Sequence, residues 1–271
     1  MKITFLGTAA YDGFPSLFCN CETCKKAFRL GGKDLRTRTQ ALIDDYLLIE
    51  FNPDTVSHFL KYRWDWNKVT NCLITHSHSD HFYIEDMMIS QYAHKVPLMH
   101  YYCGLDGYNQ MIKAFNQNKA MKGKALPHLV EPLKKFVIKD YEVLPLRAHH
   151  DETSSPLMYA IKKGDKKMLY AHDSGDFFKD TLSALKDFGT LDLISIDCTG
   201  GTDKGNWNHH MCLEQVINHL KIFKTDGIID DKTIIVVNHF SHNGKATHQD
   251  MLDACEPYGI IVAYDGLSIE F

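Results

Sequence analysis

The 271-residue sequence has no apolar run approaching the roughly 18 residues needed to cross a bilayer, which argues against a helical membrane protein. It has no basic surplus either: 30 Lys and Arg stand against 34 Asp and Glu, a formal net charge of −4. A protein that holds nucleic acid mainly by bulk electrostatics would carry the opposite balance. The stretch Met1–Pro15 holds one lysine and no apolar h-region, so no secretory signal is expected and a cytoplasmic location is. Eight cysteines without an export signal read as reduced thiols or metal ligands, not as a disulfide framework. No repeat, low-complexity tract, block of like charge or Pro/Gly/Ser linker divides the chain. What remains is an ordinary globular composition, 44% apolar and 24% charged, with one unusual number: 16 histidines.

Short runs rich in Ile, Leu, Val and Tyr, bounded by Gly, Asp, Asn or Pro, predict strands. They fall at Lys2–Leu6, Ala41–Ile43, Tyr46–Phe51, Cys72–Thr75, Val143–Arg147, Leu157–Ile161, Met168–Ala171, Leu191–Ile196, Thr233–Val237, Ile260–Ala263 and Leu267–Phe271. Thr55–Tyr62, after Asn52-Pro53-Asp54, reads as a capped helix with Val56, Phe59 and Leu60 on its apolar face. Leu213, Val216, Ile217, Leu220 and Phe223 predict an amphipathic helix. Met87–Tyr92 and Asn109–Lys122 also look helical, with a Gly- and Tyr-containing loop between them. The whole reads as one α/β domain with two sheets' worth of strands.

The strongest chemical signal is Thr75-His76-Ser77-His78-Ser79-Asp80-His81, directly after an apolar run. Three imidazoles and a carboxylate within six residues suit Zn, Mn or Fe. In extended backbone His76 and His78 point the same way, and a following turn can carry Asp80 and His81 to a second ion. A polar loop that is His-rich by chance explains four ligand types in six positions poorly.

This H-x-H-x-D-H run resembles the signature of the metallo-β-lactamase-fold hydrolases, and later segments are similar in order: Arg147–Asp151, Tyr170–Gly175 and Val237–His239. The resemblance implies a four-layer αββα sandwich over residues 1–271. It implies that one divalent ion is held by His76, His78 and His150 (His149 being the neighbouring alternative), another by Asp80, His81 and His239, with Asp173 bridging. His172 beside it reads better as a core or supporting histidine. Such a pair of Zn or Mn ions suits hydrolysis of a phosphodiester by a bridging hydroxide, or less often of an amide, lactone or thioester.

Cys19-Asn20-Cys21-Glu22-Thr23-Cys24 offers three thiols in six residues, and His242 follows His239 by three. Together they resemble the phosphoribosyl cyclic phosphodiesterases of the carbon–phosphorus lyase pathway, which implies one structural zinc on Cys19, Cys21, Cys24 and His242, carried by an insert around 19–24. The same resemblance gives His210 the part of general acid, with His209 as the alternative, and Asp80 a catalytic part beside its ligand role. At a helix N-terminus the macrodipole would lower the His210 pKa. Arg36 and Arg38 read as a solvated face. Glu50 and Asn52 stand where relatives have Asp and Gly; asparagine tolerates positive φ, so the turn is expected to persist there. Residues 85–125 read as a helical insert whose Tyr92, Tyr101, Tyr102 and Tyr108 belong to core. The implied partner is a small, cyclic phosphate ester, with neither membrane nor nucleic acid, and a homodimer is one expected assembly. Two other readings stand: a ribonuclease Z-like nuclease, and a non-catalytic accessory protein like coenzyme PQQ synthesis protein B. Cys72, Cys103, Cys198, Cys212 and Cys255 are expected to be small buried hydrophobes.

Overall fold

The structure is a computed structural model that describes residues 1–205 and 207–271. In chain order its strands are β1 (Lys2–Gly7), β2 (Gln40–Ile43), β3 (Leu47–Ile49), β4 (Asn71–Leu73), β5 (Met99–Cys103), β6 (Ala125–Leu129), β7 (Phe136–Ile138), β8 (Tyr141–Arg147), β9 (Leu157–Lys163), β10 (Lys166–Ala171), β11 (Leu193–Asp197), β12 (Ile234–Asn238), β13 (Ile261–Val262) and β14 (Ser268–Glu270). The helices are α1 (Glu22–Leu30), α2 (Thr55–Tyr62), α3 (Ile84–Met87), α4 (Leu105–Gln117), α5 (Lys179–Phe188), α6 (Leu213–Thr225) and α7 (His248–Cys255). Among the described residues the strands form two seven-stranded sheets, ordered β14-β1-β2-β3-β4-β5-β6 and β13-β12-β11-β10-β9-β8-β7.

Period-two alternation builds the layers. Ala41, Ile43, Leu47 and Ile49 turn toward the second sheet and join Val143, Tyr159, Leu169, Ile194 and Val236 in one core. Their neighbours Leu42, Leu48 and Cys72 turn outward to a second core with Trp64, Met111 and Phe115 from the helical side. Leu185, Val216 and Phe223 of α5 and α6 cover the other outer face, completing the αββα order. β10, β11 and β12 run parallel, so their C-terminal ends share one edge, and the site is built there.

Three strands escape the sequence patterns. β5 lies inside the segment read as a helical insert: Met99, Tyr101 and Cys103 are buried, but the intervening His100 and Tyr102 are half-buried aromatics that blur the alternation. β6 contains Pro127 and His128, tolerated because β6 is an edge strand. β7 is three residues long. Tyr92 is exposed, not core, whereas Tyr101 is buried and Tyr102 stacks between His128 and Phe136. On α2 the buried positions are Thr55 and His58, and Val56 and Leu60 are exposed, because His58 reaches inward to Gln40 and Thr37. Among the described residues no helix is long and apolar enough to cross a membrane.

Candidate metal centre

The histidine-rich loop starts where β4 ends. His81 and Phe82 N–H donate back to the His78 carbonyl at 3.0 and 2.8 Å, so the chain turns after His78 and carries Asp80 and His81 away from the first pair. His76 Nε2 and His78 Nδ1 lie 2.9 Å apart, and His78 Nδ1 is 3.2 Å from His150 Nε2. Asp80, His81 and His239 form a second group. Asp173, just past β10, lies between the two: its Oδ2 is 2.8 Å from His81 Nε2 and 3.0 Å from His239 Nε2, while Oδ1 faces His150 Nε2 at 3.8 Å. His149 points elsewhere, packing on Phe178 and His209.

These atoms fit divalent ions. His81 Nε2 and His239 Nε2 are buried 2.8 and 3.0 Å from the buried Asp173 Oδ2, yet none of the three is aligned for a hydrogen bond. Three buried lone-pair donors facing one another would each cost about 1–3 kcal/mol if left uncompensated, and a cation between them removes that cost. The backbone is held in the left-handed region at both Asp173 (φ 50°) and His239 (φ 65°), conformations that persist only where the surroundings impose them.

The outer ring nitrogens are also engaged, which fixes each imidazole's orientation. His76 Nδ1 lies 3.0 Å from Thr75 Oγ1, His239 Nδ1 2.8 Å from Thr199 Oγ1, and His78 Nε2 3.1 Å from Asp151 Oδ2. Glu50 supports the same group: Oε1 is 3.2 Å from His81 Nδ1 and Oε2 accepts the Thr75 N–H. The positive φ, however, sits at Glu50 (71°) and not at Asn52. Asn52 instead closes the turn through its side chain, accepting the Asp54 N–H and donating to the Thr39 carbonyl. His172 is fully buried with Nε2 2.8 Å from Ser195 Oγ, a core role.

Sequence reading missed Asp197. This fully buried carboxylate at the end of β11 accepts the N–H groups of Asp173, Thr199 and Met211, and lies 3.1 Å from His210 Nδ1 and 3.5 Å from His239 Nδ1. Its signal was an aspartate closing the apolar run Leu193–Ile196. Burial alone would lower the His210 pKa, but Asp197 and then Asp173, 3.5 Å away, outweigh it and raise the value. The lowering expected from the helix dipole is therefore overturned: α6 begins three residues later, at Leu213, and the nearer carboxylates dominate.

The His210 loop reaches the centre across Gly175, where any Cβ would run into the carbonyl of Asn208. Gly175→Ala is expected to push this loop outward, slowing turnover of esters with poor leaving groups by about 10²-fold while metal content stays unchanged. Parallel rate and elemental measurements check this; simultaneous metal loss would contradict it.

The beta-lactamase superfamily domain matches residues 47–229, more than half of the chain. The chain belongs to the beta-lactamase superfamily. Coenzyme PQQ synthesis protein B of Acinetobacter baumannii is 23% identical over the full length of both chains. Among solved structures, a diphosphatase from the PhnP family superposes with a TM-score of 0.75 at 21% identity, over 100% of this chain and 97% of that one. Zinc-bound PqqB from Methylobacterium extorquens gives 0.78 at 17% identity over the whole of both chains. Human tRNase Z, short form, gives 0.70 at 16% identity over 100% and 99%. The superfamily fold implies divalent metal, in agreement with the convergent donors described above.

Two features lie outside the segment matched to the superfamily. Cys19, Cys21, Cys24 and His242 come together, with His242 Nδ1 3.4 Å from Cys19 Sγ and 3.6 Å from Cys21 Sγ. Burial would raise the Cys21 thiol, but the Cys24 N–H and His242 bring it down to about 6, whereas burial pushes the neighbouring Cys24 thiol up to about 12. Arg36 is buried, not solvated, and donates to Thr8 Oγ1 and the Ala263 carbonyl; Arg38 pairs with Asp54. The five remaining cysteines are all buried.

Proposed function

We propose that the chain is a dinuclear-metal hydrolase of small phosphodiesters, cyclic esters included. The observation that carries this is His210 at the mouth of a filled ligand set, its Nδ1 held against Asp197. In this reading His76, His78 and His150 hold one ion, Asp80, His81 and His239 the other, and Asp173 both, with Zn or Mn as the metal. Bound there, the ions would lower the pKa of a water and draw charge from the ester oxygens. His210 holds a proton for the leaving oxygen, and Asp80, which lines the pocket, orients the attacking water. Cys19, Cys21, Cys24 and His242 would hold a structural zinc and so brace the start of α1 beside His239.

The cavity of about 510 Å³ is lined by Tyr11, Ser77, Ser79 and the centre itself, with no lysine or arginine among the described residues. A mouth without such side chains suits a singly charged diester better than a polyanion that needs a cationic clamp. Eight free cysteines suit the reducing cytoplasm. The accessory reading keeps one support, the full-length likeness to coenzyme PQQ synthesis protein B. Initial rates with added Mn or Zn on bis(p-nitrophenyl) phosphate, a ribosyl cyclic phosphate and precursor tRNA test the proposal. Turnover of the two small esters without tRNA cleavage is expected. Cleavage of tRNA with tight, salt-sensitive binding would replace it with the nuclease reading.

A further inference from the structure

A second cavity, of about 430 Å³, lies on the outer face of the first sheet and shares no lining residue with the metal centre. Its walls include four aromatic side chains, Phe51, Phe59, Trp66 and Tyr101. These pack as a connected set: Phe59 and Trp66 ring centres are 5.7 Å apart, Phe51 and Tyr101 5.8 Å, and Phe51 and Trp66 6.4 Å. Val56, exposed on α2, belongs to the same wall, which accounts for an apolar residue left out of the core. The size falls within the range of small-molecule sites, which are mostly apolar with a few polar groups that fix orientation.

The polar group that matters is Asp86. It lines the cavity half-buried, and among the described residues its carboxylate accepts no hydrogen bond and meets no cation. Burial and then Glu85 raise its pKa, as for a carboxylate whose charge is left uncompensated. His94 and Lys95 also border the cavity, but both are exposed, where solvent screens them. A carboxylate without a partner, lining a cavity with four aromatic rings, is complemented by an organic cation. A cation over aromatic faces gains about 0.5–2 kcal/mol per good contact, most when it is desolvated.

We propose that this cavity binds an organic ammonium ion, an aryl- or alkylammonium whose apolar part lies among the rings and whose charge faces Asp86. The site lies behind the metal-binding loop, since the Phe51 N–H donates to the His81 carbonyl, but it takes no part in the chemistry there.

Phenyltrimethylammonium is the probe, titrated by calorimetry and by tryptophan fluorescence into the full-length protein, with benzenesulfonate as the anionic counterpart. Expected are one site per chain, quenching of Trp66 and no comparable binding of benzenesulfonate. Asp86→Asn should weaken binding about tenfold, and Phe59→Leu, which keeps apolar volume but removes a ring, about threefold. Hydrolysis of bis(p-nitrophenyl) phosphate should be unchanged in both variants, showing that the fold is intact. Equal binding of the two probes, or affinity indifferent to Asp86→Asn, would overturn the ammonium assignment and leave an apolar cavity. No binding of either probe by the wild-type protein would overturn the site.

Discussion

Asp173→Ala is expected to abolish turnover, lowering it more than about 10³-fold, and to empty the catalytic centre while the cysteine-held ion remains. The reason is geometric. Asp173 presents one carboxylate oxygen to His81 and His239 and the other to His150, so both groups of donors lose a shared ligand at once. Disturbing a supporting partner of a ligand commonly costs 10–100-fold in metal affinity or activity, and removing a direct ligand costs more. Cys19, Cys21, Cys24 and His242 share no residue with this centre, and their ion should survive the substitution. Elemental analysis of the purified variant checks the separation. Loss of all metal together would contradict it, and so would a variant that retains its full complement.

The second large effect separates proton donation from metal binding. His210→Ala should keep every metal and the fold, yet slow cleavage by about 10²–10⁴-fold when the leaving oxygen is a poor one. With p-nitrophenolate, which leaves without a proton, the loss should be small. His210 is suited to this selectivity because Asp197, 3.1 Å from its Nδ1, raises its pKa against the opposing effect of burial. More of it therefore carries a proton near neutrality than an isolated imidazole would. A leaving-group series measured on wild type and variant gives the answer. Equal slowing across the series would remove His210 as proton donor and leave it a positioning role.

The parts of this site that were legible in the sequence share one property: they are packed into short segments. His76, His78, Asp80 and His81 announce themselves because four ligand types in six residues are hard to explain otherwise, and Cys19, Cys21 and Cys24 do the same. Asp173 and His239 were legible because each closes an apolar run in the expected order. Asp197 closes such a run equally well, between Ile196 and Cys198, but it supports two histidines through space and has no sequence neighbour to mark it. The His210 pKa went the wrong way for a related reason. The helix dipole is visible in sequence, whereas the carboxylate 3.1 Å away arrives from the end of β11. Glu50 shows the same limit in reverse: backbone in the left-handed region repositions the longer side chain, so the contact with His81 survives the exchange.

For the fold, central strands such as β11, buried on both faces, read directly as apolar runs. β5 and β6 did not, because His100, Tyr102, Pro127 and His128 replace the apolar code with stacked rings: Tyr102 lies 4.5 Å from His128, centre to centre. Val56 and Leu60 satisfied a helical period yet face outward, because the buried side of α2 is set by His58 and its bonds to Thr37 and Gln40. Polar networks of that kind defeat patterns based on hydrophobicity alone.

The metal content of the purified chain, measured together with hydrolysis of bis(p-nitrophenyl) phosphate, separates a dinuclear hydrolase from a protein that keeps only the cysteine-held ion. Close to three ions per chain are expected, two at the histidine and aspartate centre and one on the cysteines, with hydrolysis. A single tightly held zinc and no hydrolysis, even after Mn or Zn is added, would contradict it and favour an accessory protein that keeps the fold without the reaction.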